Sequence, residues 1–86
     1  MDLRQTIDLM TSEDYKERLK AEYYQTKIRY EKLKDFNNKI ESALRTTNVE
    51  MPKHDCPSDL LREQQRARGE YLHLLEVRAV IENIVL

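Results

Sequence analysis

The stretch that decides the fold is Ser12–Arg45, SEDYKERLKAEYYQTKIRYEKLKDFNNKIESALR, which contains neither glycine nor proline. Within it, residues suited to face another helix recur at alternating steps of four and three, the spacing of a helix–helix seam. They are Leu19, Tyr23, Thr26, Tyr30, Leu33, Asn37, Ile40 and Leu44. The sequence therefore predicts one long helix over residues 12–45, with room for a second helix along one side.

The remainder of the chain is organised around a single loop. Both prolines follow the long helix, at Pro52 and Pro57. Proline suits the first position of a helix because its missing N–H would have no partner there, so a second helix is predicted over residues 57–86. Residues 46–56 then form the loop, and residues 1–11 a short N-terminal helical segment. The predicted fold is all-α, with residues 1–86 in one antiparallel two-helix hairpin domain.

The second helix repeats the four-three spacing on two parallel tracks, and either could face the first helix. One track is Leu60, Gln64, Ala67, Tyr71, Leu74, Arg78, Ile81 and Val85, and the other is Leu61, Gln65, Arg68, Leu72, Leu75, Ala79, Glu82 and Leu86. Near its C-terminus the helix is apolar around most of its circumference, so it must be buried on most sides. A hairpin alone cannot do that. We therefore expect a homo-oligomer, centred on the C-terminal half of the second helix.

Composition excludes several classes of function. The net charge of −1 and the pI of about 6.1 do not suit a protein that binds long nucleic acids. A single glycine rules out a glycine-rich phosphate loop, and no apolar run approaches the ~20 residues of a membrane span. One cysteine, Cys56, rules out an internal disulfide framework and fits a reducing, cytosolic setting. We expect no enzyme activity, because His54 and Cys56, the one candidate pair for nucleophilic catalysis, have no oxyanion hole beside them. We also expect no metal and no cofactor.

Two clusters are candidates for binding an anionic, aromatic ligand. The first is the tyrosine-rich and basic stretch of residues 23–36, whose rings could stack on bases, although Tyr30 could equally pack in the seam. The second is Arg62 and Arg66, which share one helix face and suit two-pronged contacts with phosphate. The alternative for these arginines is pairing with Glu63, Glu70 or acidic residues of the first helix.

Four segments carry a resemblance to a known family. They are Asp14–Leu19, DYKERL; Lys27–Leu33, KIRYEKL; Leu60–Ala67, LLREQQRA; and Glu70–Arg78, EYLHLLEVR. In this order, from about residue 12 to the end of the chain, they resemble the hairpin domain shared by the Thoeris anti-defence and anti-CBASS sponge proteins of phages.

The resemblance implies a binding protein rather than an enzyme. Such proteins assemble, often as hexamers, in the cytoplasm of the infected bacterial host. They sequester cyclic nucleotide immune signals, namely cyclic ADP-ribose isomers or cyclic di- and trinucleotides, without cleaving them. The alternative function is a helical protein–protein interaction module with no small-molecule ligand.

The resemblance also implies a set of ligand-binding residues. The family's sugar-phosphate pocket combines an aromatic residue from the end of the first helix, a polar loop residue and two arginines one helical turn apart. The matching positions here are Phe36, Asn48, Arg62 and Arg66. Tyr30 is expected to add a stacking ring. Arg68, Cys56 and Ser58 are expected to line a second site near the N-terminus of the second helix, where the helix dipole favours anions.

Overall fold

The computed structural model describes residues 1–86 as three helices without any strand. They are α1, Thr6–Met10; α2, Tyr15–Arg45; and α3, Ser58–Glu82. Helices α2 and α3 pack together as an antiparallel hairpin, and α1 packs only on α2. The prediction of an all-α fold is confirmed. None of the three helices has the length and hydropathy that a membrane span requires.

Helix α2 begins at Tyr15 rather than at the predicted Ser12. The residue before it, Asp14, has an extended backbone, and its side-chain oxygen accepts a hydrogen bond from the Lys16 N–H at 3.0 Å. This contact satisfies one of the N–H groups that a helix leaves without a partner at its start. Asp14 is therefore the N-cap, and Ser12 lies outside the helix.

The N-terminal segment is attached to α2 through a threonine. Thr6 is completely buried, and its hydroxyl donates to the Leu3 carbonyl at 2.6 Å and accepts from Gln25 Nε2 at 3.0 Å. Ahead of it, Asp2 and Gln5 bond to each other's backbone N–H groups at 2.8 and 2.9 Å, the reciprocal pattern of a capping box. These contacts explain why so short a helix keeps a defined position.

Helix α3 ends at Glu82, so the predicted helix over residues 57–86 is too long. Asn83 adopts the left-handed conformation, with φ at 56°. The next N–H, from Ile84, bonds to the Ala79 carbonyl at 2.8 Å and completes a Schellman motif. As a result the chain turns back, and Ile84 and Leu86 pack against the hydrophobic core instead of extending the helix.

The second track of α3 faces α2, and the first faces solvent. Leu72 and Leu75 form the core with Leu19 and Tyr23. Residues of the other track are exposed to solvent, with 74% of Ile81 and 85% of Val85 accessible. Only nine of the 86 residues are buried, so the single chain has a small core. We name the exposed α3 residues Leu60, Tyr71, Leu74, Val77 and Ile81 the apolar strip.

Tyrosine–carboxylate hydrogen bonds join the two long helices away from the loop. Tyr23 donates to Glu76 at 3.3 Å, and Tyr71 donates to Glu22. Tyr15, at the start of α2, lies next to Glu82, at the end of α3. Interaction with Glu82 and Glu22 raises the pKa of Tyr15 and Tyr71, respectively, above the usual 10.0, and burial followed by Glu76 raises the pKa of Tyr23.

The hairpin should therefore lose stability at alkaline pH. A phenol whose pKa is higher in the folded than in the unfolded chain contributes stability that is fully present below about pH 10 and is lost as the pH rises through the folded value. Thermal unfolding measured between about pH 8 and pH 11 should show this loss. The control is a variant with Tyr15→Phe and Tyr71→Phe, which should show a shallower decline. Equal declines in the two proteins would contradict the role of these bonds.

Candidate functional site

A groove of about 950 Å³ runs between α2 and α3. Its lining combines two arginines, two acids, three side-chain amides, a histidine, one aromatic ring, one leucine and the only glycine of the chain. These residues are Tyr30, Asn37, Asn38, Glu41, Arg62, Gln65, Arg66, Gly69, Glu70, His73 and Leu74. The groove has cations, hydrogen-bonding groups and an aromatic surface in one place.

The lining residues follow a definite order along the hairpin. Because the helices are antiparallel, Arg62 lies toward the loop, and Gly69, beside Tyr30, lies toward the other end. At 1.5 Å per residue, Arg66 and Arg62 precede Gly69 by roughly 4.5 and 10 Å along the α3 axis. The amides of Asn37 and Gln65 lie level with the arginines, because Gln65 comes between Arg62 and Arg66 and Asn37 bonds to it. The groove therefore has cations and amides toward the loop and an aromatic ring toward its other end.

Asn37 holds the two helices together in the groove. It is 7% exposed, and its Nδ2 donates to the Leu61 carbonyl at 3.1 Å and to Gln65 Oε1 at 2.9 Å. A buried amide that bonds across a helix pair specifies which residues face each other. Its Oδ1 is also buried and has no hydrogen-bond partner, which is uncommon for a buried polar atom.

Tyr30 reaches the groove because Gly69 leaves room for its ring. A Cβ placed on Gly69 would lie 3.2 Å from Tyr30 Cε2 and 3.6 Å from the phenol oxygen. The glycine costs helix stability, about 1 kcal/mol relative to alanine. In return the phenol end of Tyr30 packs directly on the α3 backbone, and the ring is held in the groove wall.

The two groove arginines have no carboxylate partner. The ion pairs of the chain join Arg45 to Glu41, at 3.0 Å, and Arg78 to Glu82. The sequence left open whether Arg62 and Arg66 pair with nearby acids, and in the structure they do not. Both guanidinium groups are therefore free to contact an anion.

The structure brings some of the predicted site residues together and separates others. Tyr30, Arg62 and Arg66 share the groove. Phe36 faces elsewhere, with its ring edge-on to His54 at a centroid distance of 6.0 Å. The side chain of Arg68 bonds to the Arg29 carbonyl at 3.3 Å, outside the groove. Three further predicted residues lie outside the groove, with Asn48 and Cys56 exposed in the loop and Ser58 at the start of α3.

Comparison with known proteins adds a family to this geometry. The family model described as Sequestin matches residues 13–81, which span most of α2 and α3 and the loop between them. The chain belongs to the Sequestin family. No curated protein and no solved structure matches it significantly. Membership fits the resemblance to phage sponge proteins and implies a binding, sequestering role rather than catalysis.

Sequence reasoning missed most of the amides and acids of this Sequestin groove. Asn37 was placed in the seam of the first helix and Gln65 in one track of the second, but neither was connected to a site. The signal available in the sequence was a polar side chain in each of two otherwise apolar seams. A polar side chain in an apolar seam is tolerated where it hydrogen-bonds to another such side chain or lines a functional cavity.

The contact between Gly69 and Tyr30 can be tested by a double-mutant cycle. Gly69→Ala alone should raise the free energy of unfolding by less than about 1 kcal/mol, because the new methyl group displaces the ring. In a Tyr30→Ala background, Gly69→Ala should raise the free energy of unfolding by the full value of about 1 kcal/mol. Ala67→Gly, at an exposed position of α3, is the control and should cost about 1 kcal/mol. Equal gains in both backgrounds, measured by urea unfolding, would show that the ring does not depend on the glycine.

Proposed function

We propose that this Sequestin family member binds cyclic nucleotide immune signals in the groove and sequesters them without cleaving them. The signals are cyclic ADP-ribose isomers or cyclic di- or trinucleotides. The protein would act for a phage in the cytoplasm of the infected host, against Thoeris or CBASS immunity. The observation that carries the proposal is the pair of unpaired arginines, Arg62 and Arg66, in one groove with Tyr30.

The arginines provide the contacts to phosphate. Arg62 and Arg66 are one helical turn apart, so their planar side chains project from the same face of α3. Arginine bonds to phosphate through two parallel N–H groups, and a free pair requires no internal ion pair to break first. Two phosphates of a cyclic nucleotide could thus be held without an overall basic protein.

The opposite end of the groove suits the base, because the Tyr30 ring offers a stacking surface for a nucleobase. The exposed Asn38 lines the groove from α2 and adds a side-chain amide for hydrogen bonds to a ligand. Phe36 and Asn48 stay predictions for the pocket that contains Arg62 and Arg66. Arg68, Cys56 and Ser58 stay predictions for a second site.

The decisive measurement is calorimetric titration with cyclic ADP-ribose isomers, cyclic di-AMP, cyclic GMP–AMP and cyclic tri-AMP. At least one should bind and be recovered intact after the protein is denatured. Arg62→Ala with Arg66→Ala should weaken binding at least about a hundredfold, since each lost charge-assisted contact costs about 1.5–3 kcal/mol. Arg29→Ala, at an exposed position outside the groove, is the matched control. If no member of the panel bound, or if the double variant bound normally, the proposal would be wrong.

We also propose that the apolar strip of α3 associates with further copies of the chain, a hexamer being the assembly that the resemblance implies. A chain with nine buried residues and several exposed apolar side chains on one helix gains stability by covering them. A helical partner protein is the second candidate for this surface, and it corresponds to the alternative function.

Self-association predicts a stability that depends on protein concentration. Light scattering at micromolar concentration should give a multiple of the 10.4 kDa chain mass, and the thermal midpoint should rise with concentration. Ile81→Glu should yield monomers because it places a charge on the strip. Leu44→Glu is the control, since Leu44 is 65% exposed on α2 and away from the strip. A monomeric wild-type protein would contradict self-association and favour the partner-protein alternative.

A further inference from the structure

We propose that Glu70 sets an upper limit on the negative charge of the ligand that the groove accepts. The groove would hold cyclic ligands, whose phosphates are all bridging, and reject linear nucleotides that end in a terminal phosphate. This inference rests on the proposed function, and it assigns to that site a residue that determines specificity.

Glu70 is the one charged group of the groove wall that repels anions and has no cationic partner. It lines the groove beside Gly69, is exposed, and takes part in no ion pair or hydrogen bond within the chain. The other groove acid, Glu41, is paired with Arg45 at 3.0 Å, so its charge is largely neutralised.

Arg66 and Glu70 do not pair, although both line the groove. The two residues are four apart on α3, at a distance where helix side chains can meet. The two side chains nevertheless form neither an ion pair nor a hydrogen bond, and this is the local fact that matters for the groove. Glu70 therefore keeps its full charge in the groove while Arg66 remains available to a phosphate.

The charge balance separates two classes of nucleotide. A bridging phosphate in a cyclic nucleotide carries one negative charge, whereas a terminal phosphate carries up to about two at pH 7. Two arginines can match the charges of a cyclic dinucleotide or of cyclic ADP-ribose. In a linear triphosphate the additional charges find no further arginine in the wall, and Glu70, one helical turn from Arg66, adds to the repulsion of the phosphate chain.

Such discrimination is what a sequestering protein requires. Linear nucleoside triphosphates share the bases of the immune signals and are far more abundant in cells. Stacking on Tyr30 cannot tell the two apart, because every base offers a similar face. Repulsion by a fixed carboxylate is a simple means of rejecting the competitor, and specificity is commonly built from such repulsive elements.

The test compares wild type with Glu70→Gln, using ATP and cyclic di-AMP as probes with the same base. Glu70→Gln should raise the affinity for ATP about five- to tenfold at low salt, the size expected for removing one charge a helical turn from the phosphate at Arg66 in a partly solvated site. The affinity for cyclic di-AMP should rise less. The gain for ATP should shrink as salt is raised from about 0.05 to 0.5 M, because solvent-exposed charges are screened.

Glu63→Gln is the matched control, since Glu63 is an exposed acid of α3 outside the groove. It removes the same charge and should leave both affinities within about twofold. Glu70→Ala provides a second variant and should behave like Glu70→Gln. If neither Glu70 variant gained affinity for ATP, or if Glu63→Gln gained as much, the inference would be overturned.

The ATP measurement separates this inference from the proposed function. A wild-type protein that binds none of the cyclic nucleotides contradicts the proposed function, whatever the Glu70 variants do. A wild-type protein that binds a cyclic nucleotide, combined with an unchanged ATP affinity in both Glu70 variants, contradicts only the role of Glu70.

Discussion

The buried amide of Asn37 is the contact on which the arrangement of the hairpin depends. Its two bonds, to the Leu61 carbonyl and to Gln65, determine which turn of α3 lies opposite each turn of α2. Apolar packing alone is tolerant of sliding, because leucines can exchange partners at little cost, whereas a displaced buried amide loses its bonds. With this register fixed, Gly69 meets Tyr30, and the two arginines lie beside the amides.

The same register sets which acids the two arginines meet. Of the acids that line the groove, Glu41 is paired with Arg45 from its own helix, and Glu70 pairs with neither Arg62 nor Arg66. Two exposed like charges one helical turn apart repel each other slightly. An anion bound between them would relieve that repulsion.

The sequence was sufficient to predict the fold class because the relevant signals are local. A stretch without glycine or proline and two prolines in one loop define two long helices, whatever surrounds them. Helix ends depend on single residues. The cap at Asp14 sets the start of α2 and the left-handed Asn83 sets the end of α3, and both differ from the predicted boundaries. The site was only partly predictable. The spacing of Arg62 and Arg66 is enough to suggest an anion site. Whether Phe36 or Tyr30 lines the groove depends on which side of α2 faces α3, and the sequence does not reveal that.

Helix α3 shows why its pattern admitted two interpretations. One side packs on α2, a second lines the groove, and a third forms the apolar strip, so little of its circumference is left as a plain solvated face. Hydrophobic periodicity identifies the buried face of a helix because the opposite face is polar. In α3 the two faces differ little in polarity, so the pattern is ambiguous. Because the three surfaces share one rigid helix, covering the strip or filling the groove stabilises the same packed pair. The proposed assembly and the proposed ligand binding would then both be linked to folding through mass action, and each would strengthen the other.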